Sequence, residues 1–154
     1  MNQESGRSMI EMLGVLAIMG IITVGAIGMI STAMRTQKLT EVNDEVIQMV
    51  TMVRNIHGEY DDFSNMNGQT IFGAIGMSNK NPYGGLYELA VNQSNPRQFV
   101  VTINGLGQAE CESLVAKAWS DSVGYQSSGG KEGGATGSCK SQNGTNYVQI
   151  VYGE

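Results

Sequence analysis

Gly6-Arg7-Ser8-Met9-Ile10-Glu11, followed directly by MLGVLAIMGIITVGAIGMISTAM at residues 12–34, is the stretch that decides how this chain is read. Residues 12–34 contain no Asp, Glu, Lys or Arg. A run of that length crosses a bilayer as a helix, which takes about 20 apolar residues. One carboxylate, Glu11, stands at its entrance. An ionisable group in a membrane span is costly, so it marks a functional position when a partner for it can be named.

A secretory signal peptide has an apolar run of about 7–15 residues closed by an A-x-A-like cleavage site. This run is longer, no such site closes it, and no Cys follows at a lipoprotein-like position. The processing signal fits better before the run: Gly6, four residues, Glu11, then the span. That order resembles the class III signal of type IV prepilins. In that family a membrane peptidase cuts after the Gly and methylates the new amine, leaving the apolar helix in the mature protein. The resemblance implies cleavage between Gly6 and Arg7, N-methylation of Arg7 and a leader of residues 1–6. This leader has no basic residue, and Arg7 stands where relatives usually carry Phe or Met. Arg7 serves as the positive-inside charge, while Arg35 and Lys38 beyond the span oppose that bias; large domains translocate regardless of loop charge.

Composition narrows the rest. With 154 residues, a net charge of -5 and only 15% charged residues, the chain is one small domain plus an anchor. The basic residues after Gly58 (Lys80, Arg97, Lys117, Lys131, Lys140) are scattered singly. They form no basic patch of the kind that binds nucleic acid directly. The two cysteines, Cys111 and Cys139, fall in the part placed outside the inner membrane. An even count in an exported domain reads as a disulfide, with two free thiols as the alternative.

The span is rich in small residues. At 100° per residue Gly14, Ala17, Gly25, Gly28 and Thr32 fall within about 60° of one line, a stripe that lets apolar helices approach closely. The glycines also make residues 20–28 the weakest part of the helix, each costing about 1 kcal/mol relative to Ala. Beyond the membrane, Leu39, Val42, Val46, Met49, Val50, Val53 and Ile56 recur at spacings of three and four. Glu41, Asp44, Gln48, Thr51 and Asn55 occupy the opposite side. No Pro interrupts residues 7–57, and Gly58 is a natural stop. One helix of about 50 residues is expected, apolar all round over 7–34 and amphipathic over 35–58.

The remainder, residues 59–154, reads as a globular head. Strands are expected at Tyr87–Val91, residues 99–104 and residues 147–152, the last two being FVVTIN and YVQIVY. A short helix is expected over 108–119, with Cys111, Leu114, Val115, Ala118 and Trp119 on neighbouring positions. Residues 68–85 read as loop with one further helical turn or strand, and residues 127–137 (SSGGKEGGATG) as an exposed flexible loop. So small a head has limited apolar surface of its own, and it completes its core by laying a sheet over the apolar stripe of the helix. A Cys111–Cys139 bridge encloses the Gly-rich loop and contributes about 3 kcal/mol by loop entropy. The expected fold class is α+β, a long N-terminal helix packed on a small antiparallel sheet with a disulfide-closed loop. The order of the head resembles the type IVb branch of the pilins: Gly84-Gly85 leading a strand, a strand ending near Gly105, a Cys on a helix, and a second Cys before the closing strand at Tyr147.

Other chemistry is poorly served. His57 is the only histidine, and Glu59, Asp61 and Asp62 after it read as a solvated turn rather than a metal site. Gly130-Lys131 is no phosphate loop, since Tyr125 and Glu132 occupy its required Gly and Ser/Thr positions. No Gly-x-Ser-x-Gly elbow occurs. Asn92-Gln93-Ser94 and Asn143-Gly144-Thr145 match the glycosylation pattern, and Asn143-Gly144 is an equally good turn. No enzyme, cofactor or metal is expected. Major pseudopilins of type II secretion usually bind calcium near the C-terminus, where this chain has only Asp121, Glu132 and Glu154.

The resemblance therefore implies a structural subunit of a type IV pilus. Its precursor would sit in the inner membrane of a Gram-negative bacterium with the head in the periplasm. Its partners would be copies of itself, a prepilin peptidase and an inner-membrane assembly platform, and its product an extracellular filament for adhesion, conjugation or related surface functions. Glu11 of an arriving subunit would meet the freed Arg7 amine of one already docked. A minor pilin, the pilin of a conjugative thin pilus, a pseudopilin and a membrane-anchored binding domain that never polymerises are the rivals.

Overall fold

The computed structural model describes residues 4–58, 62–128, 139–140 and 146–154, with residues 4–7 described by backbone alone. Helix α1 runs over Glu4–His57 as 54 unbroken residues. Absence of Pro lets it continue, and Gly58 ends it at φ 82°, its N–H returning to the Arg54 carbonyl at 2.8 Å. The chain divides into two compact units, Met1–Lys38 and Leu39–Glu154. The first is helix, and its described side chains from Ser8 through Gln37 are exposed.

The second unit combines the rest of α1 with α2 (Gly68–Ile75), α3 (Gln108–Val115), a 3-10 turn at Phe63–Asn65 and four strands. The strands are β1 (Tyr87–Val91), β2 (Gln98–Leu106), β3 (Ser122–Ser127) and β4 (Asn146–Gly153). They form one antiparallel sheet in the order β1-β2-β4-β3. Residues alternate across it, so Phe99, Val101 and Ile103 of β2 and Val148, Ile150 and Tyr152 of β4 share one buried face. That face belongs to the same core as Val42, Val46, Met49, Val50 and Val53 of α1. A ring contact series extends the core at one end. His57 meets Phe63 at 6.0 Å between centroids, Phe63 meets Phe99 at 5.0 Å, and Phe99 stacks on Tyr152 at 5.6 Å.

The helix packed on an antiparallel sheet is thus as expected, and four details differ. Ile56, assigned to the covered stripe, is 47% exposed, because it lies at the margin of the buried arc and is the penultimate residue of α1. Residues 68–85 hold a full two-turn helix, α2. Asn67 caps it, accepting from the Gln69 N–H at 2.9 Å, and Gly76 ends it in the left-handed region. Helix α3 stops at Val115 rather than running to residue 119; Trp119 folds back, its indole N–H donating to the Leu114 carbonyl at 3.1 Å. Strand β3 was not expected, and Ser127, placed by the sequence in a loop, is its buried last residue. The loop residues 129–137 lie outside the described residues, as do Glu59, Asp61, Lys131 and the Asn143-Gly144 turn.

The disulfide joins Cys111 on α3 to Cys139, with Cα atoms 6.0 Å apart. Asn146, 1% exposed, ties the segment after the bridge to the sheet. Its Oδ1 accepts from the Lys140 N–H and the Ser128 hydroxyl at 2.7 Å, and its Nδ2 donates to the Lys140 carbonyl at 2.9 Å. Asn81 does the same at the entry to β1. Its Oδ1 accepts from the Tyr83 and Gly85 N–H groups at 3.0 Å, and its Nδ2 donates to the Asn104 carbonyl at 2.8 Å. This draws Gly85 so close to β2 that a Cβ there would lie 1.9 Å from the Asn104 oxygen.

A polar pair locks α1 to the sheet within the second unit. The Tyr87 hydroxyl donates to Glu45 at 2.5 Å. Burial raises the Glu45 pKa, the Tyr87 bond opposes that shift, and the charge of Glu41 adds to it. The Tyr87 hydroxyl is pushed up, first by burial and then by Glu45.

Two sets of substitutions test this packing on detergent-solubilised protein. Gly85→Ala should cost about 2–4 kcal/mol in denaturant unfolding, because backbone must move. Gly73→Ala, in α2 with open space around it, should instead gain about 0.5–1 kcal/mol. Glu45 is harder to ionise in the fold than in the unfolded chain. Its protonated form therefore contributes stability that is full below the unfolded pKa and is lost as pH rises through the folded one. Glu45→Gln should raise Tm relative to the parent at neutral pH, and the gap should shrink toward about pH 4. A gap independent of pH would contradict the raised pKa.

Candidate assembly surface

The first unit presents an apolar surface to solvent. Ile21 is 76% and Met29 77% exposed, and every large apolar residue from Met9 to Met34 is exposed in the single chain. At about 25 cal/mol per Å2 of apolar area, such a surface is unfavourable in water and favours burial in lipid or protein. The hydroxyls between residues 12 and 36 are already satisfied. Thr23 donates to the Met19 carbonyl at 2.7 Å, Ser31 to Ile27 at 3.1 Å, Thr32 to Gly28 at 3.2 Å and Thr36 to Thr32 at 3.2 Å. With backbone and hydroxyl groups paired inside the helix, residues 12–34 carry no polar obstacle to an apolar surrounding.

The small residues lie where a neighbour can approach. A Cβ built on Gly14, Gly20, Gly25 or Gly28 meets nothing within 4 Å. Gly25, Gly28 and Thr32 line one shallow groove together with Val24, Met29 and Ala33. Gly14 and Ala17, of the same sequence stripe, lie nearer the amino end and outside that groove. Glu11 is exposed on α1. Gly6 and Arg7 belong to the first turns of the same helix, which begins at Glu4. Residues 7 and 11 are four apart, the spacing that puts two positions on one helix face.

The second unit adds surface features that sequence spacing did not single out. Lys117, beyond α3, donates to the Asn43 side chain and lies 4.9 Å from the centre of the Trp119 ring. Burial lowers its pKa, and Asp44 opposes that shift. Arg54 pairs with Asp121 at 3.7 Å. Beside that pair, burial pushes the Tyr152 hydroxyl up to about 12, with Arg54 opposing and Asp121 adding. Ile47 is 53% exposed and lines an open groove with Gln48, Thr51, Met52, Asn55 and Ile75. Positions such as Asn43 and Lys117 are 74 residues apart, and only the fold brings them together.

Among the described residues no group of three His, Cys, Asp or Glu side chains is placed to hold a metal ion. Asp62 instead caps the turn at Phe63–Asn65, accepting from the Ser64 N–H at 2.8 Å. Asn92 accepts from the Ser94 N–H at 3.1 Å and donates to Gln98 at 2.8 Å, so its side chain closes the β1–β2 connection. Cys111 and Cys139 are bonded to one another.

No family model matches this chain, and no curated protein matches it in sequence. Among solved structures it is similar to a type IVb pilin from Salmonella typhi, at 16% identity and a TM-score of 0.53. The likeness covers 70% of this chain and 94% of that one. At so low an identity the likeness is one of fold, and it agrees with the long apolar helix, the antiparallel sheet and the disulfide: the chain has the pilin fold.

Proposed function

We propose that this protein is the structural subunit of a type IV pilus, made as an inner-membrane precursor and polymerised into an extracellular filament. The observation that carries the proposal is the charge-free, exposed helical surface of residues 12–34, joined in sequence to a head with the pilin fold. Residues 1–6 are the leader, 7–34 the span and later the filament-core helix, 35–58 its amphipathic continuation, and 59–154 the head. A prepilin peptidase cuts between Gly6 and Arg7 and methylates the Arg7 amine, and an inner-membrane platform assembles the filament. Gly14, Ala17, Gly25, Gly28 and Thr32 form the face along which neighbouring helices pack. The open space around those glycines favours this over an anchored domain that never polymerises, which has no use for it.

Glu11 sets the axial register. A carboxylate and an ammonium taken out of water separately each cost several kcal/mol, and pairing offsets much of that. An arriving subunit's Glu11 meets the Arg7 amine of the subunit already docked, and any other register leaves both charges unpaired in an apolar medium.

Sheared surface material is the first test, since it should contain filaments of this chain. Their intact mass should correspond to a protein starting at Arg7 with one added methyl. A mass starting at Met1 in material that still forms filaments would remove the prepilin assignment. Glu11→Gln should insert, be cleaved and form its disulfide normally, yet yield few or no filaments. Glu11→Asp should be intermediate, because the charge remains while its reach is one methylene shorter. Wild-type filament yield from Glu11→Gln would rule out the register role.

A further inference from the structure

Lys117 is an amine held against a carboxamide. It lies two residues beyond α3, and its Nζ donates to Oδ1 of Asn43 on α1. Both residues belong to the second unit and are half-buried. The Nζ also lies 4.9 Å from the centre of the Trp119 ring, a residue 7% exposed and fixed by its indole bond to the Leu114 carbonyl. Burial lowers the Lys117 pKa, and the charge of Asp44, the residue after Asn43, opposes that shift. A lysine stem held in one conformation loses rotamer entropy, which one hydrogen bond to a neutral group offsets only in part. An amine, a carboxamide and a carboxylate are nevertheless gathered here from positions 117, 43 and 44.

Those three groups are the reactants and proton carrier of a transamidation. Oδ1, which the amine touches, is one carbonyl bond, about 1.2 Å, from Cγ. The terminal torsion of Asn is broad, so a rotation of the carboxamide turns its face to the amine at little cost. Asp44 takes a proton from the ammonium, and the freed Nζ attacks Cγ. The Nζ–Cγ bond forms, the proton passes to Nδ2, the Cγ–Nδ2 bond breaks and ammonia leaves. One amine and one primary carboxamide thus become one secondary amide and ammonia, with no oxidant or other co-reactant. Holding nucleophile and electrophile in one fold replaces the high concentration that the same reaction needs between separate molecules. A neighbouring carboxylate that carries the proton accelerates it further.

We propose that Lys117 and Asn43 become joined by an isopeptide bond within the head, with Asp44 as the proton carrier. The bond ties α1 to the segment after α3 across 74 residues of chain, where the Cys111–Cys139 bridge spans 28. Unlike the disulfide, it is not broken by reduction. It forms inside one chain and does not depend on the filament reading.

Mass spectrometry of the full-length protein, purified in detergent and reduced, tests this. The chain should be lighter by one ammonia than its processed sequence, and trypsin should leave Lys117 uncut. The peptide of residues 39–54 should be recovered joined to the peptide that contains Lys117. Asn43→Asp should still join the two, with loss of water in place of ammonia, whereas Lys117→Arg should keep its full mass. Asp44→Asn should lower the joined fraction, in protein of equal age, by about tenfold or more. Wild-type protein that trypsin cuts after Lys117, releasing residues 39–54 as a free peptide, would overturn the bond without reference to any variant. Loss of ammonia to the same extent in Lys117→Arg would overturn it as well. An Asp44→Asn chain joined as fully as its parent would overturn the role given to Asp44.

Discussion

A helix that satisfies its own backbone is free to sit in any medium, and its side chains alone decide which. In α1 the N–H and C=O groups pair internally, and Thr23, Ser31, Thr32 and Thr36 return their hydroxyl protons to carbonyls within the helix. Over residues 12–34 apolar groups point in every direction, so no single partner face can cover them. From Leu39 onward apolar and polar residues separate, and one face enters the core of the head while Glu41, Asp44, Gln48, Thr51 and Asn55 stay in water. The same backbone thus joins a part left exposed by the described residues of the chain to a part whose covering is its own sheet.

The head lacks long regular elements, and asparagine side chains supply the hydrogen bonds that such elements would otherwise give. Asn67 starts α2, Asn81 holds the turn before β1, and Asn146 fixes the segment after the disulfide. Asn95 accepts from the Arg97 N–H at 3.0 Å and donates to the Glu154 carbonyl at 2.8 Å, so one side chain shapes the β1–β2 connection and holds the carboxyl end against it. An amide carries a donor and an acceptor on one short stem, which is why it can stand in for a missing peptide neighbour. These contacts bury polar atoms without leaving them unpaired among the described residues.

What the sequence made legible follows from which forces are local. The 3.6-residue periodicity of Val42, Val46, Met49 and Val53 and the alternation in FVVTIN and YVQIVY are written into single segments, and helix α1, β2 and β4 lie where those patterns put them. The Asn67 and Gly76 signals of α2 were equally local, but Gly68, Thr70, Ile71 and Gly73 between them are poor helix formers and obscured it. Strand β3, SVGYQS, contains two Ser and a Gly and owes its conformation to pairing with β4, information that no window of its own residues contains. The extra length expected of α3 came from treating Trp119 as a helical position, whereas its indole bonds back onto Leu114. For the assembly surface, the apolar run, the small residues and Glu11 are plain in the sequence; the exposure of Ile47 and the contacts of Lys117 needed the fold.

The glycines divide in a way that bears on what the protein is for. At Gly85, Gly105 and Gly153 a Cβ would meet backbone at 1.9, 2.7 and 2.2 Å, so the chain's own strands require the hydrogen. At Gly14, Gly20, Gly25 and Gly28 nothing in the chain comes within 4 Å. Each of these four costs the helix about 1 kcal/mol relative to Ala and returns nothing within the single subunit. Lipid alone gives no reason for the loss, because a methyl group is as compatible with hydrocarbon as a hydrogen. Close approach of another helix does give one, since removing side chains lets backbones pack at short range and recovers dispersion contacts along the whole groove. The first set of glycines is explained by the fold, and the filament reading proposed above supplies a reason for the second: a neighbouring helix.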